Sequence, residues 1–167
     1  FTTVTIRPAT VCGYSTRQRL DVVGNILTNI AYHKREISVF GGSQLRPNIH
    51  IADMVNAYGA LLVAPVNKIA GKIFNAGYEN QSVKEIAETV KEVVGEDVKL
   101  IETPTDDNRS YHISSEKIKS ELGFEAVHSI RQAVLDLCEA FDNNLLPDSL
   151  NDPKYFNIKT MQNIKLN

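Results

Sequence analysis

The chain has 167 residues, 43 % of them hydrophobic and 23 % charged, and 18 Lys plus Arg against 20 Asp plus Glu leave a net charge of −2. A chain of this length makes one domain or a large part of one and should bury about 70 % of its unfolded surface; its apolar fraction disfavours disorder, and its near-neutral balance argues against a nucleic-acid binder. No apolar run approaches the ~18 residues that span a bilayer, no signal peptide opens the chain, and Cys12 and Cys138 fit neither a disulfide framework nor a zinc site, so a soluble, cytoplasmic α/β protein without a membrane partner is expected.

The first residue is Phe1, and Val4, Ile6 and their threonine neighbours read as a strand of period two already under way. Such a beginning reads as a cut through a larger fold. A loop follows at Cys12-Gly13-Tyr14-Ser15-Thr16, after which Leu20, Val23, Ile26, Leu27, Ile30 and Ala31 recur at helical spacing. Residues 37–40 and 49–51 form short apolar strands on either side of Gly41-Gly42. Asp53 is then placed to cap a helix carrying Val55, Ala57, Tyr58, Leu61 and Leu62, which Pro65 ends. Residues 72–75 read as a further strand, closed by Gly77.

Ser82 and Glu85 stand at the spacing of a capping box ahead of a helix whose buried stripe is Val83, Ile86, Ala87, Val90 and Val94, with Gly95 as a left-handed stop. Residues 98–101 form a strand, and residues 115–122 a short helix ended by Gly123. Ser129 and Gln132 suggest a second box, leading a helix with Ile130, Ala133, Val134, Leu137, Cys138 and Phe141 inward. From Leu145 onward, Pro147, Pro153, many asparagines and weak periodicity predict an irregular surface tail. Alternating strands and helices indicate α/β layering, with too few strands for a complete doubly wound sheet.

Arg7, Arg17, Arg19, Arg46 and Arg109 lie near loops or strand ends. A guanidinium is a planar fork of donors suited to phosphate, so arginines converging on one cleft would make a local anion site. The alternative for any one of them is a surface ion pair of little consequence. His33, His50, His112 and His128 show no metal spacing, and His50 reads as a hydrogen-bonded structural residue. Asp106-Asp107 reads as a solvated turn. Tyr155 and Lys159 have the spacing of a Y-x-x-x-K pair but follow Pro153 in the asparagine-rich tail, where Tyr155 and Phe156 serve better as apolar anchors.

Arg7-Pro8-Ala9-Thr10-Val11-Cys12-Gly13, the segment from Val39 through Gly41-Gly42 and Arg46-Pro47 to Asp53, Phe74-Asn75-Ala76-Gly77, and Arg109-Ser110-Tyr111 with Lys117-Ile118 and Glu121-Leu122-Gly123-Phe124 stand in one order over residues 4–128. In that order they resemble the C-terminal half of the extended short-chain dehydrogenases, the NAD-dependent nucleotide-sugar epimerases and dehydratases. The resemblance implies the last strands and helix of a Rossmann-type fold in residues 1–36, a small mixed α/β substrate-binding region in 37–144, and a tail in 145–167. It implies that Pro8, Ala9, Thr10 and Val11 line the nicotinamide–sugar boundary and that Arg46 and Arg109 hold the substrate's phosphates. Val39, Phe40 and Asn80 would border the nucleotide base, and Arg17, Arg19 and Asn25 are further substrate-side candidates.

Two positions depart from the family pattern: Cys12 stands where tyrosine is usual, and Tyr14 where proline is. Cys12 has no neighbouring base and reads as a packed thiol. The nine glycines never form G-x-G-x-x-G, and the family's catalytic Y-x-x-x-K pair belongs upstream of residue 1. The resemblance therefore implies NAD or NADP in the parent enzyme, none held tightly by these residues alone, and no turnover by them. Two other readings stay open: a non-catalytic module that binds a nucleotide sugar or a protein, and a related oxidoreductase acting on a non-sugar alcohol. Without neighbouring strands, Val4-Thr5-Ile6 would expose an edge and promote self-association.

Overall fold

The structure, a computed structural model, describes residues 1–106 and 109–164. In chain order the elements are β1 (Thr5–Pro8), β2 (Thr10–Cys12), α1 (Val23–Lys34), β3 (Glu36–Phe40), β4 (Leu45–His50), α2 (Ile51–Val63) and α3 (Val66–Ile69). They continue with β5 (Ile73–Ala76), β6 (Glu79–Ser82), α4 (Val83–Val94), β7 (Lys99–Thr103), α5 (Glu116–Leu122), α6 (Ile130–Asp142), a 3₁₀ turn (Pro153–Tyr155) and α7 (Asn157–Asn163).

Residues 5–12 are one extended run that changes partner at Ala9. Before it, β1 pairs in parallel with β5, Thr5 opposite Ile73 and Pro8 opposite Ala76. Beyond it, β2 pairs in parallel with β4, Thr10 opposite Asn48 and Cys12 opposite His50. The Ala9 N–H donates to the Ala76 carbonyl at 2.7 Å and holds the joint. On its other edge β4 pairs antiparallel with β6, and β3 pairs in parallel with β7.

Three apolar clusters hold these layers. Leu27 and Ala31 of α1, Ile37 and Val39 of β3, Ile86 and Val90 of α4 and Val134 of α6 form the first. Helix α4 shows why it forms: Ser82 Oγ accepts from Glu85 N, Glu85 Oε2 accepts from Ser82 N at 2.7 Å, and Ile86 and Ala87, with Val90 one turn on, are fully covered. The second cluster sets Met54, Ala57 and Leu61 of α2 and Ile118 of α5 against Ile49 and Phe74. The third joins Leu20 to Leu137, Ala140 and Phe141 of α6 and to Leu146 and Tyr155.

Several local expectations change. Gly95 has φ 148° and ψ 147°, so it stops α4 in an extended form open mainly to glycine rather than in the left-handed helical form that Gly123 adopts at φ 70°. Ser129 caps α6, but Gln132 turns away and donates to Asp136 Oδ1 at 2.7 Å, leaving half a capping box. The cap of α2 is His50, whose Nδ1 accepts from Ala52 N. Asp53, only 1 % exposed, instead accepts from the backbone N–H groups of Val127 and His128 and pairs with His128 Nδ1 at 2.8 Å, tying α2 to the approach of α6. The segment after Leu145 is not irregular: the 3₁₀ turn and α7 form there, and Leu146, Ser149 and Tyr155 are buried. Asp107 and residues 165–167 lie outside the described residues.

Candidate functional site

Where the run of residues 5–12 passes from β5 to β4, a cavity of about 470 Å³ opens. Pro8, Ala9, Thr10 and Val11 line it from the strand; Gly13, Ser15, Arg17, Gln18, Arg19, Val22 and Asn25 line it from the following loop and α1; Ile51 and Tyr111 complete it. It lies beyond the carboxyl end of β1, where open parallel sheets bind their ligands. Seven positions expected from sequence thus meet here: Pro8 through Val11 with Arg17, Arg19 and Asn25.

The loop is held by its own amides. Asn25, 3 % exposed, accepts from Gly13 N at 3.1 Å and donates to the Arg19 carbonyl at 2.8 Å. Gln18, equally buried, accepts from Ser15 N and donates to the carbonyls of Gly13 and Arg19. These bonds satisfy the turn's backbone internally and leave the two guanidiniums outward. Arg17 is exposed and has no ion-pair partner among the described residues. Arg19 uses Nε on Asp21 Oδ1 at 2.9 Å, and its two Nη groups have no such partner. Burial pushes the Asp21 carboxyl up, but the hydrogen bonds from Arg19 and from Asn157 N outweigh it and hold the group below the usual carboxylate range.

Arg46 and Arg109 form a separate corner. Arg46 Nη1 donates to the carbonyls of Leu45 at 3.0 Å and Arg109 at 2.5 Å, while Leu45 N donates to Ser110 Oγ. The arginine thus fastens the segment at Arg109 to the start of β4, and neither arginine lines the cavity; Tyr111, two residues on, does. Of the three base-side candidates, Val39 is packed inside the first cluster and Phe40, on the opposite face of β3, is 56 % exposed. Asn80 spends its amide on Ile113, accepting from N at 2.9 Å and donating to O at 3.1 Å.

Other reactive groups are structural. The Cys12 thiol donates to the Ile49 carbonyl and is pushed up to about 12 by burial and then by the charge of Glu79, which leaves no thiolate for chemistry. His50 Nε2 meets Asp136 at 2.9 Å and its ring stacks on His128, as a hydrogen-bonded core histidine should. Gln18 and Tyr111 were missed as lining residues. Tyr111 carried a signal, since it belongs to the Arg109-Ser110-Tyr111 block; a loop glutamine carries none. Among the described residues no cluster of His, Cys, Asp or Glu could hold a metal ion, and no helix is long and apolar enough to cross a membrane.

Comparison with known proteins converges on one family. The NAD dependent epimerase/dehydratase family matches residues 1–77. A UDP-glucose 4-epimerase of Corynebacterium glutamicum is 31 % identical over 125 residues, covering 68 % of this chain and 37 % of the relative. Among solved structures, the Thermotoga maritima UDP-glucose 4-epimerase with UDP-glucose has a TM-score of 0.71 at 24 % identity, covering 84 % of this chain and 46 % of that one. The Bacillus cereus UDP-glucuronic acid 4-epimerase, in complex with UDP-glucuronic acid and NAD, has a TM-score of 0.72 at 21 % identity, covering 84 % and 45 %. The chain therefore spans less than half the length of these relatives. Its α/β architecture is that of the Rossmann-type epimerase and dehydratase structures, and the chain belongs to the NAD-dependent epimerase/dehydratase family.

Proposed function

We propose that these residues are the substrate-binding half of an NAD-dependent nucleotide-sugar epimerase or dehydratase. One observation carries the reading: strand residues 8–11 and the arginine-bearing loop after β2 share one cavity at a parallel-strand end. An apolar and backbone wall suits a sugar held against a flat ring, and Arg17 and Arg19 suit a diphosphate beside it. Arg46 and Arg109, outside the cavity lining, are proposed as a second phosphate contact, with Phe40 and Asn80 on the base side. In the division that follows, residues 1–36 belong to the dinucleotide-binding part and residues 37–144 to substrate recognition, while residues 145–167 form a C-terminal segment.

Bound NAD would supply the hydride acceptor and donor for oxidation and return at a sugar carbon. Pro8, Ala9, Thr10 and Val11 fit one side of a nicotinamide ring, but no glycine pattern here fits a pyrophosphate. The proposal is therefore that these residues orient the sugar and turn nothing over by themselves. The cytoplasm is the proposed setting, since its reducing conditions keep free thiols such as Cys12 and Cys138 unpaired. Self-association is proposed through β1, whose exposed Thr5 and Arg7 flank an edge without a strand partner among the described residues.

Calorimetric titration with UDP-glucose tests the reading. Binding that weakens about tenfold in Arg17→Ala and in Arg46→Ala supports it, as expected for loss of one charge-assisted contact. Absence of binding to any nucleotide sugar overturns it. Steady-state conversion of a sugar nucleotide by these residues with NAD overturns the inactive-half part, and a clean monomer in light scattering overturns the proposed edge contact.

A further inference from the structure

We infer that residues 145–163 act as a strap that positions the arginine loop of the cavity. The inference rests on the reading of that cavity as a site for a phosphorylated ligand, and it assigns positioning roles to Leu20, Asp21, Tyr155 and Asn157. The segment folds back through two left-handed turns, at Asn144 and Asp148, each with φ 52°. It is pinned first to α1: Ser149 Oγ donates to Asn29 Oδ1 at 2.6 Å and accepts from His33 Nε2, while Asn29 Nδ2 donates to the Ser149 carbonyl. The Asn29 amide fixes these roles, because its oxygen can only accept.

The strap then reaches the loop by two bonds. Leu20 N donates to the Tyr155 carbonyl at 2.9 Å, with the Leu20 side chain fully buried beside Tyr155 and Leu146. One residue on, the Asp21 carboxylate is shared: Oδ2 accepts from Asn157 N at 2.9 Å and Oδ1 accepts from Arg19 Nε at 2.9 Å. Asp21 therefore ties the first residue of α7 to the guanidinium that lines the cavity. Fixing Nε in this way sets the direction of the Nη groups before any anion arrives, which lowers the ordering cost of binding. The loop is consequently held from both sides, by Asn25 on α1 and by the strap.

Asn157→Pro tests the link. Proline removes the donated N–H, suits the first position of a helix, and follows Phe156 at φ −125° and ψ 107°, a conformation that accepts a following proline. In the full chain, amide exchange of residues 15–21 should quicken about tenfold, and UDP should bind about tenfold more weakly, the size expected for one bond to a charged group. Asp21→Ala should do the same. The double variant should be no worse than the worse single, because both break one link. Unchanged exchange in residues 15–21, or additive effects of the two substitutions, overturns the strap whatever UDP does. Faster exchange in a chain whose unsubstituted form never binds UDP supports the strap as a structural link and overturns the ligand reading instead.

Discussion

The two arginine-bearing regions are built on opposite plans. In the loop after β2, the neutral amides of Gln18 and Asn25 satisfy the backbone, so Arg17 and Arg19 are left outward over a cavity. At the start of β4 the guanidinium of Arg46 is itself the fastener, spent on the carbonyls of Leu45 and Arg109. The lesson is that the same residue type fastens the backbone or is left over a cavity according to which neighbour takes on the backbone's unmet hydrogen bonds.

Asn25→Ala should break the first plan most severely. It leaves Gly13 N without its partner and the Arg19 carbonyl held by Gln18 alone, and an unpaired buried group costs about 1–3 kcal/mol, so the unfolding temperature should fall clearly and UDP-glucose binding with it. Arg46→Ala should cost about 1 kcal/mol in denaturant unfolding besides weakening the ligand, since its bonds serve the fold. Arg17→Ala should leave stability within about 0.5 kcal/mol while reducing affinity, and an equal loss of stability in the two arginine variants would erase the contrast.

Acid should separate the regions more gently. Burial holds His33 below its ordinary value, so the unfolded chain binds the extra proton first. The stability His33 gives is complete above about pH 6.5 and declines as pH falls through its lowered folded value. Asp21, also lowered, keeps its contribution until pH drops below about 4. Both groups touch the 145–163 segment, so on acidification exchange protection, measured relative to the free-peptide rate at each pH, should fall there and in residues 15–21 before it does around Arg46.

Much of this was legible because it is local. Ser82, Glu85 and the stripe from Val83 to Val90 specify α4 within one stretch of chain, and the order of the four motif blocks carried the family. What escaped depends on distant partners or on missing periodicity. Asp53 stands where a cap belongs, but Val127 and His128, far along the chain, claim its carboxylate. Strand β6 is Glu79-Asn80-Gln81-Ser82, with no apolar alternation, and α7 buries no residue, so neither prints a pattern. Arg46 could be singled out from sequence as a phosphate candidate, but not its hydrogen bond to the backbone carbonyl of Arg109 nor its place outside the cavity lining.

The partner change at Ala9 also bears on how the chain reaches this state. Among the described strands none pairs with the next in sequence: β1 waits for β5, β2 for β4, β3 for β7 and β4 for β6. With no hairpin to nucleate it, each ladder must close a long loop before its first rung forms, the topology of a slow folder. Newly made chains should therefore pass through a period in which β1 and β2 offer two bare edges at once, and a chaperone that shields extended segments would act on this stretch first.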